Sequence, residues 1–422
     1  MPSHPRRKAI RAPRATAAAQ PVFGQPQLSP DPSSFVKPHP SDSGLYRRTN
    51  NKLVQPVPEP RSAGSGTTVE PVLTLAEVYG DAGPAKVAAI EKAGQVVFHC
   101  VGDTGSVKGP ETQSLVADKM VSDFNEVNRA NVPSFFFHLG DVVYSFGEGK
   151  YYYDQFYEPY RDYPGPIIAI PGNHDGLVYG GDSAPTLDAF LRNFCAPAPV
   201  RTAEAGGLLR TAMIAPSVYF TLESPFVRIL GLYSNVLEDP GIISSEGGTR
   251  PQLDDRQLNY LTAALKRCKQ EKYAGAVILA VHHPPFTGGV NHSGSPRMLE
   301  EMDKCCEAAG FWPHAVVSGH AHNYQRYTRS VAGLQVPYLV AGDGGHGLAR
   351  IRTDVYGQPV RTPYPVTSTL SFDSYDDTKY GYLRVIVNAQ KIRIEYHTAA
   401  DGTTMKTPDD QITVDLKTRV LS

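Results

Sequence analysis

Five apolar segments between residues 95 and 322 each run into a residue that can bind a hard cation, and this constrains the fold more than any other feature. Gln95–Val101 leads to Gly102-Asp103, Ser134–Leu139 to Gly140-Asp141, and Pro166–Ile170 to Gly172-Asn173-His174-Asp175. Ala276–Val281 leads to His282-His283, and Ala315–Val317 to Ser318-Gly319-His320-Ala321-His322. The segments are short and rich in valine, isoleucine and phenylalanine, as buried strands are. Helical spacing of apolar residues lies between them, at 113–130, 254–270 and 297–310, and short alternating stretches follow at 336–341, 381–388 and 391–397. Strands alternating with helices predict an α/β fold. In such folds ligands gather where loops leave the carboxyl ends of the strands. Five polar endings on one edge would build a cage of oxygen and imidazole donors.

Composition narrows the remaining choices. The chain has 422 residues, 41% of them hydrophobic, with 41 Lys and Arg against 42 Asp and Glu. That apolar content argues against a disordered chain. The charge balance argues against a binder of nucleic-acid polymers driven by bulk charge. Five cysteines in an odd count, with no C-x-x-C, support neither a disulfide scaffold nor a zinc ribbon. No run of eighteen apolar residues occurs, so no membrane span is expected.

Charge and proline are uneven. Residues 1–60 hold 12 of the 36 prolines, nine Lys or Arg and only three acids. Such a stretch buries too little apolar surface to offset its ordering entropy. Residues 1–70 are therefore expected to form a disordered or loosely attached arm, and residues 71–422 the folded domain. Arg6-Arg7-Lys8 is followed by mixed Arg, Pro, Ala and Gln rather than an apolar stretch, so no export signal is read and a cytoplasmic location is expected.

The motifs around the strand endings carry a resemblance. Gly-Asp-Thr-Gly holds Asp103, Gly-Asp-Val-Val-Tyr holds Asp141 and Tyr144, and Gly-Asn-His-Asp holds Asn173 and His174. His-His-Pro-Pro-Phe holds His282, and Gly-His-Ala-His-Asn-Tyr holds His320 and His322. In this order, over roughly residues 95–397, the set resembles the calcineurin-like metallophosphoesterases, and within them the small, single-domain purple acid phosphatases. The subgroup is suggested by Gly105, which supplies no ligand, together with a tyrosine three residues after Asp141.

The resemblance implies a four-layer αββα sandwich of two stacked mixed sheets flanked by helices. It implies two metal ions, with Asp103, Tyr144 and His322 on the first, Asn173, His282 and His320 on the second, and Asp141 bridging. Fe(III) would sit at Tyr144, with Fe, Zn or Mn beside it. His283 is a rival to His282, because both sit in an H-x-P-like context. Leaving-group protonation falls to His174, with His292 as second choice, and His346 in Gly-Asp-Gly-Gly-His is a further possible participant. The backbone at Gly342–Gly345 is expected to approach the site closely.

The expected function is a phosphoric monoester hydrolase in which hydroxide held at the metal pair attacks phosphorus in line. A phosphodiesterase acting on cyclic nucleotides or nucleotide diesters is the alternative, and a non-catalytic scaffold ranks behind both. Two carboxylates and a tyrosinate carry three negative charges against five on a trivalent and a divalent ion, leaving a surplus that attracts a phosphate dianion. Oxygen and imidazole donors suit Fe, Zn and Mn better than thiolate-seeking metals. The expected partner is a small phosphate ester, and the expected state a monomer or weak oligomer.

Overall fold

The computed structural model describes residues 20–24, 35–40, 54–61, 69–180, 183–399 and 407–422. Its first eight strands are β1 (Val72–Thr74), β2 (Gln95–Val101), β3 (Phe135–His138), β4 (Ile167–Ala169), β5 (Phe220–Ser224), β6 (Val227–Leu232), β7 (Ala276–Val281) and β8 (Ala315–Ser318). Seven follow: β9 (Tyr324–Val331), β10 (Leu334–Ala341), β11 (Tyr364–Thr367), β12 (Leu370–Asp376), β13 (Gly381–Asn388), β14 (Lys391–Thr398) and β15 (Asp410–Asp415).

The strands form two mixed sheets. Six run in the order β15-β14-β13-β2-β3-β4, and nine in the order β1-β5-β6-β7-β8-β10-β9-β12-β11. β2, β3 and β4 are parallel, as are β6, β7, β8 and β10. Helices Gly83–Ala93 and Glu111–Ser122 contact the six-stranded sheet, whereas Arg256–Gln270 and Pro296–Ala309 pack on each other beside the nine-stranded one. The result is the expected four-layer αββα sandwich.

The sheets meet through buried apolar side chains. Phe135, Phe136 and Phe137 are fully buried, and each such side chain contributes roughly 1.5–3 kcal/mol by leaving water. Phe135 stacks on Phe98 at 4.7 Å, and Phe137 lies 6.4 Å from Phe220 of the opposite sheet. A β-carbon at Gly231 would come within 2.7 Å of Ile170, so the layers are in close contact there. All five cysteines are free and buried, and none approaches another as a disulfide.

Two expectations are changed in detail. The helix expected over 113–130 ends at Ser122, and a short 3₁₀ turn, Asp123–Asn125, follows. The Asp123 carboxylate is required elsewhere: it accepts from the Tyr382 hydroxyl at 2.7 Å and faces His99 Nε2 at 3.0 Å. Val127, which seemed to extend the apolar stripe, is fully exposed.

The described parts of the proline-rich arm lie against the domain. Phe23 meets Tyr79 edge to face, and His39 stacks on Tyr179 at 3.8 Å with its Nδ1 3.1 Å from Glu148. Val54 is buried with Leu237, Ile242 and Leu253, and the Arg61 guanidinium donates to the carbonyls of Ile214 and Ala215. The rest of the arm falls outside the described residues.

Candidate metal centre

Parallel strand direction brings the polar endings to one edge. Asp103, Asp141 and Asn173 follow β2, β3 and β4 of the six-stranded sheet, while His282 follows β7 and His320 and His322 follow β8 of the nine-stranded sheet. Asp103, Asp141 and His320 all adopt left-handed backbone angles, with φ of 55°, 54° and 66°. Such angles are uncommon for residues with a side chain and cost of order 1–3 kcal/mol each. Here they turn the side chain sharply inward from the strand end.

Each carboxylate has one oxygen tied down and one turned to the centre. Asp103 Oδ2 accepts from the His320 amide at 2.7 Å, and its Oδ1 accepts from the Tyr144 hydroxyl at 3.1 Å. Asp141 Oδ1 accepts from the His174 amide at 2.8 Å, whereas its buried Oδ2 has no hydrogen-bond partner among the described residues. That oxygen faces His282 Nε2 at 3.3 Å.

The imidazoles are oriented in the same sense. His282 Nδ1 lies 2.8 Å from the Leu139 carbonyl and His322 Nδ1 lies 3.0 Å from the Gly347 carbonyl. A carbonyl only accepts, so both Nδ1 atoms carry the proton and both Nε2 lone pairs point inward. His282 Nε2 then meets Asn173 Oδ1 at 3.1 Å, and His320 Nδ1 meets the same oxygen at 3.1 Å. His322 Nε2 lies 3.3 Å from the Tyr144 hydroxyl and 3.4 Å from Asp103 Oδ1. Asp141, His282 and His320 offer ligand atoms within 4.8 Å of one another.

A buried cluster of oxygen and imidazole donors fits cations. Burial pulls the His282 imidazole down, but Asp141 and Asp103 outweigh it and push it up to about 9. A proton at Nε2 would therefore occupy the place a cation takes, and cation binding would release it. Burial, with Asp103 and Asp141 beside it, pushes the Tyr144 phenol well above its usual range. The phenol can ionise there only beside a strong Lewis acid.

Gly105 explains why the tyrosine can enter. A β-carbon at this position would come within 3.0 Å of the Tyr144 ring, and closer still to Gln155 and the Val142 carbonyl. The ring thus fills space that a side chain would need. Gly342 is as close: a β-carbon there would strike the Ala321 carbonyl and come within 2.9 Å of Asp103 Oδ2.

Among the remaining expected residues, His174 joins the site edge. Its Nδ1 lies 2.8 Å from the Ser145 carbonyl, and its Nε2 lies 3.9 Å from Asp141 Oδ2. His292 also reaches the site, with its ring 4.3 Å from His320 and 5.2 Å from His322. Burial, with His322 beside it, lowers its imidazole to about 4. His283 turns away: its ring nitrogens lie 2.7 Å from Ser234 Oγ and 2.6 Å from the Leu237 carbonyl.

Sequence reasoning missed the supporting residues. Gln155 grips the Tyr144 backbone from both sides, accepting from its N–H and donating to its carbonyl, each at 2.8 Å. Asp175 accepts from the amides of Gly172, Val142 and Val143 and so ties the Asn173 turn to the Asp141 loop. Asp239 lies 3.6 Å from His320 Nε2 and forms a second close group with His292 and His320. Only Asp175, inside a quoted motif, carried any sequence signal.

The calcineurin-like phosphoesterase family model matches residues 97–324, more than half of the chain, and the chain belongs to that family. Its motifs, from Asp103 through His322, fall within the matched stretch. Among solved structures, GAP50, titled the anchor in the inner membrane complex of Plasmodium, is similar at 12% identity with a TM-score of 0.50, covering 76% of this chain and 89% of that one. PhoD is 14% identical with a TM-score of 0.45, covering 78% and 71%. A dimetal phosphatase from Danio rerio is 8% identical with a TM-score of 0.42, covering 76% and 99%. No curated protein matches the sequence significantly. Among the described residues no helix is long and apolar enough to cross a membrane.

Proposed function

We propose that this phosphoesterase is a phosphoric monoester hydrolase of the purple acid phosphatase type. The observation that carries this reading is the Tyr144 hydroxyl, 3.1 Å from Asp103 Oδ1 and 3.3 Å from His322 Nε2, with Gly105 leaving room for its ring. Asp103, Tyr144 and His322 would hold Fe(III). Asn173, His282 and His320 would hold a second ion, Fe, Zn or Mn, and Asp141 would span the pair. When bound, the two ions supply Lewis acidity that polarises the phosphoryl oxygens and acidifies water.

The chain's own groups do the rest. The three anionic donors balance only part of the metal charge, which favours a dianionic ester over a monoanionic diester. His174 and His292 stand beside the cage, where one of them can give a proton to the departing oxygen. His292 Nδ1 faces Glu238 at 3.6 Å. A bound dianion would favour the protonated form of whichever histidine serves as the donor.

Loading with iron and assaying at acid pH tests this. Violet protein that hydrolyses p-nitrophenyl phosphate faster than bis(p-nitrophenyl) phosphate supports it. Colourless iron-loaded protein, or a higher kcat/KM for the bis-ester, overturns it, and the latter result installs the phosphodiesterase reading.

A further inference from the structure

His346 lies in none of the ligand motifs, yet it covers the tyrosine. Its ring stacks on Tyr144 at 3.8 Å between centroids with 13° between planes. His174 also approaches that ring, at 4.2 Å and 39°. Two imidazoles that close cannot share one face of a phenol, so Tyr144 is held between them. His346 also meets His322 edge on, at 4.7 Å.

The position of His346 is built from the metal-site backbone itself. Its N–H donates to the Asp103 carbonyl at 2.9 Å, and the Gly344 N–H donates to the Gly102 carbonyl at 3.2 Å. Its Nδ1 lies 2.8 Å from the Gly105 carbonyl, which fixes the proton on Nδ1 and the plane of the ring. Gly105 is also the residue whose missing side chain admits the Tyr144 ring. One short segment, 103–105, therefore supplies a carboxylate, the space for the phenol and the anchor for the plate above it.

We propose that His346 is a positioning residue for Tyr144, an imidazole plate that fixes the direction of the phenol oxygen toward Asp103 and His322. This rests on the purple acid phosphatase reading for its spectroscopic and iron-binding consequences, and not for the stacking itself. An aromatic contact of this kind is worth about 0.5–1.5 kcal/mol, or about a 2- to 12-fold change in an equilibrium constant.

The test has two arms. In iron-loaded protein, His346→Ala is expected to move the phenolate-to-iron absorption band and weaken first-site iron binding by about 2- to 12-fold. His346→Phe, which keeps a flat ring but loses the Gly105 bond, is expected to recover most of both. In metal-free protein labelled with 3-fluorotyrosine, the Tyr144 fluorine signal, assigned by its loss in Tyr144→Phe, is expected to shift in His346→Ala. An unchanged band, unchanged affinity or unshifted fluorine signal overturns the proposal, as does His346→Phe behaving like His346→Ala. If the wild-type protein is colourless with iron, the reading of function fails, and the fluorine signal alone decides the role of His346.

Discussion

The two sheets contribute different chemistry to the same edge. The six-stranded sheet supplies oxygen: Asp103, Asp141 and Asn173 at the ends of β2, β3 and β4, with Tyr144 just beyond Asp141. The nine-stranded sheet supplies nitrogen: His282, His320 and His322 after β7 and β8. The oxygen edge carries the negative charge that would hold cations. The nitrogen edge carries imidazoles, with Nδ1 of His282 and His322 pinned by carbonyls so that Nε2 faces inward. Neither edge alone makes a centre, and each proposed ion draws on both.

The strongest way to break this division is to weaken the oxygen edge at its shared member. Asp141→Asn removes a charge at the proposed bridge, and kcat is expected to fall ~10³-fold or more, because metal polarisation is worth several kcal/mol. Loss of both ions by elemental analysis should accompany the fall. Retention of two ions and of activity would show that Asp141 does not bridge.

A finer separation compares one residue from each edge. Tyr144→Phe should abolish any violet colour while leaving the second ion in place. His320→Ala should do the reverse, keeping the colour and lowering the second ion's stoichiometry. Metal content read beside the visible spectrum distinguishes the two. A mutant pair with identical losses would mean that the edges do not divide as described.

The smallest expected effect concerns β8, which has a histidine near each end. His320 at the carboxyl end faces acceptors, whereas Nδ1 of His314, just before the amino end, accepts from the Val277 amide at 2.9 Å. Burial, with Arg419 nearby, lowers the His314 imidazole to about 3. A group lowered in this way favours the folded state while neutral. Its contribution is full above about pH 6.5 and is lost as the pH falls toward 3, on the order of a few kcal/mol in all. His314→Gln should flatten that part of the Tm-against-pH curve without touching metal content. An unchanged slope between pH 6 and about 4 would remove His314 from the account of acid stability.

Much of this was legible because the candidate ligand positions sit at strand ends, where local pattern and chemistry coincide. The spacing of Asp103, Asp141, Asn173, His282, His320 and His322 needed only five apolar runs and the residues that follow them. The preference for His282 over His283 comes from the motif, and the fold agrees with it, since His283 spends its ring nitrogens on Ser234 and the Leu237 carbonyl. Gln155, Asp239 and His346 act across long sequence separations, through a backbone grip, a carboxylate contact and a stacked ring, and such contacts leave no periodic trace. The helix that stopped at Ser122 shows the opposite failure. Its apolar period continues on paper, but the backbone leaves the helical region at Glu126 and Val127 is exposed.

The division of donors between layers has a mechanical result. A pair of ions bound at this edge would act as a rivet through the seam between the two halves of the sandwich. Stripping them with a chelator would then loosen the joint itself as well as silence the chemistry. Above its dissociation constant, each bound ion would add about 1.4 kcal/mol to the folded state for every tenfold rise in free metal, so melting temperature becomes a gauge of occupancy.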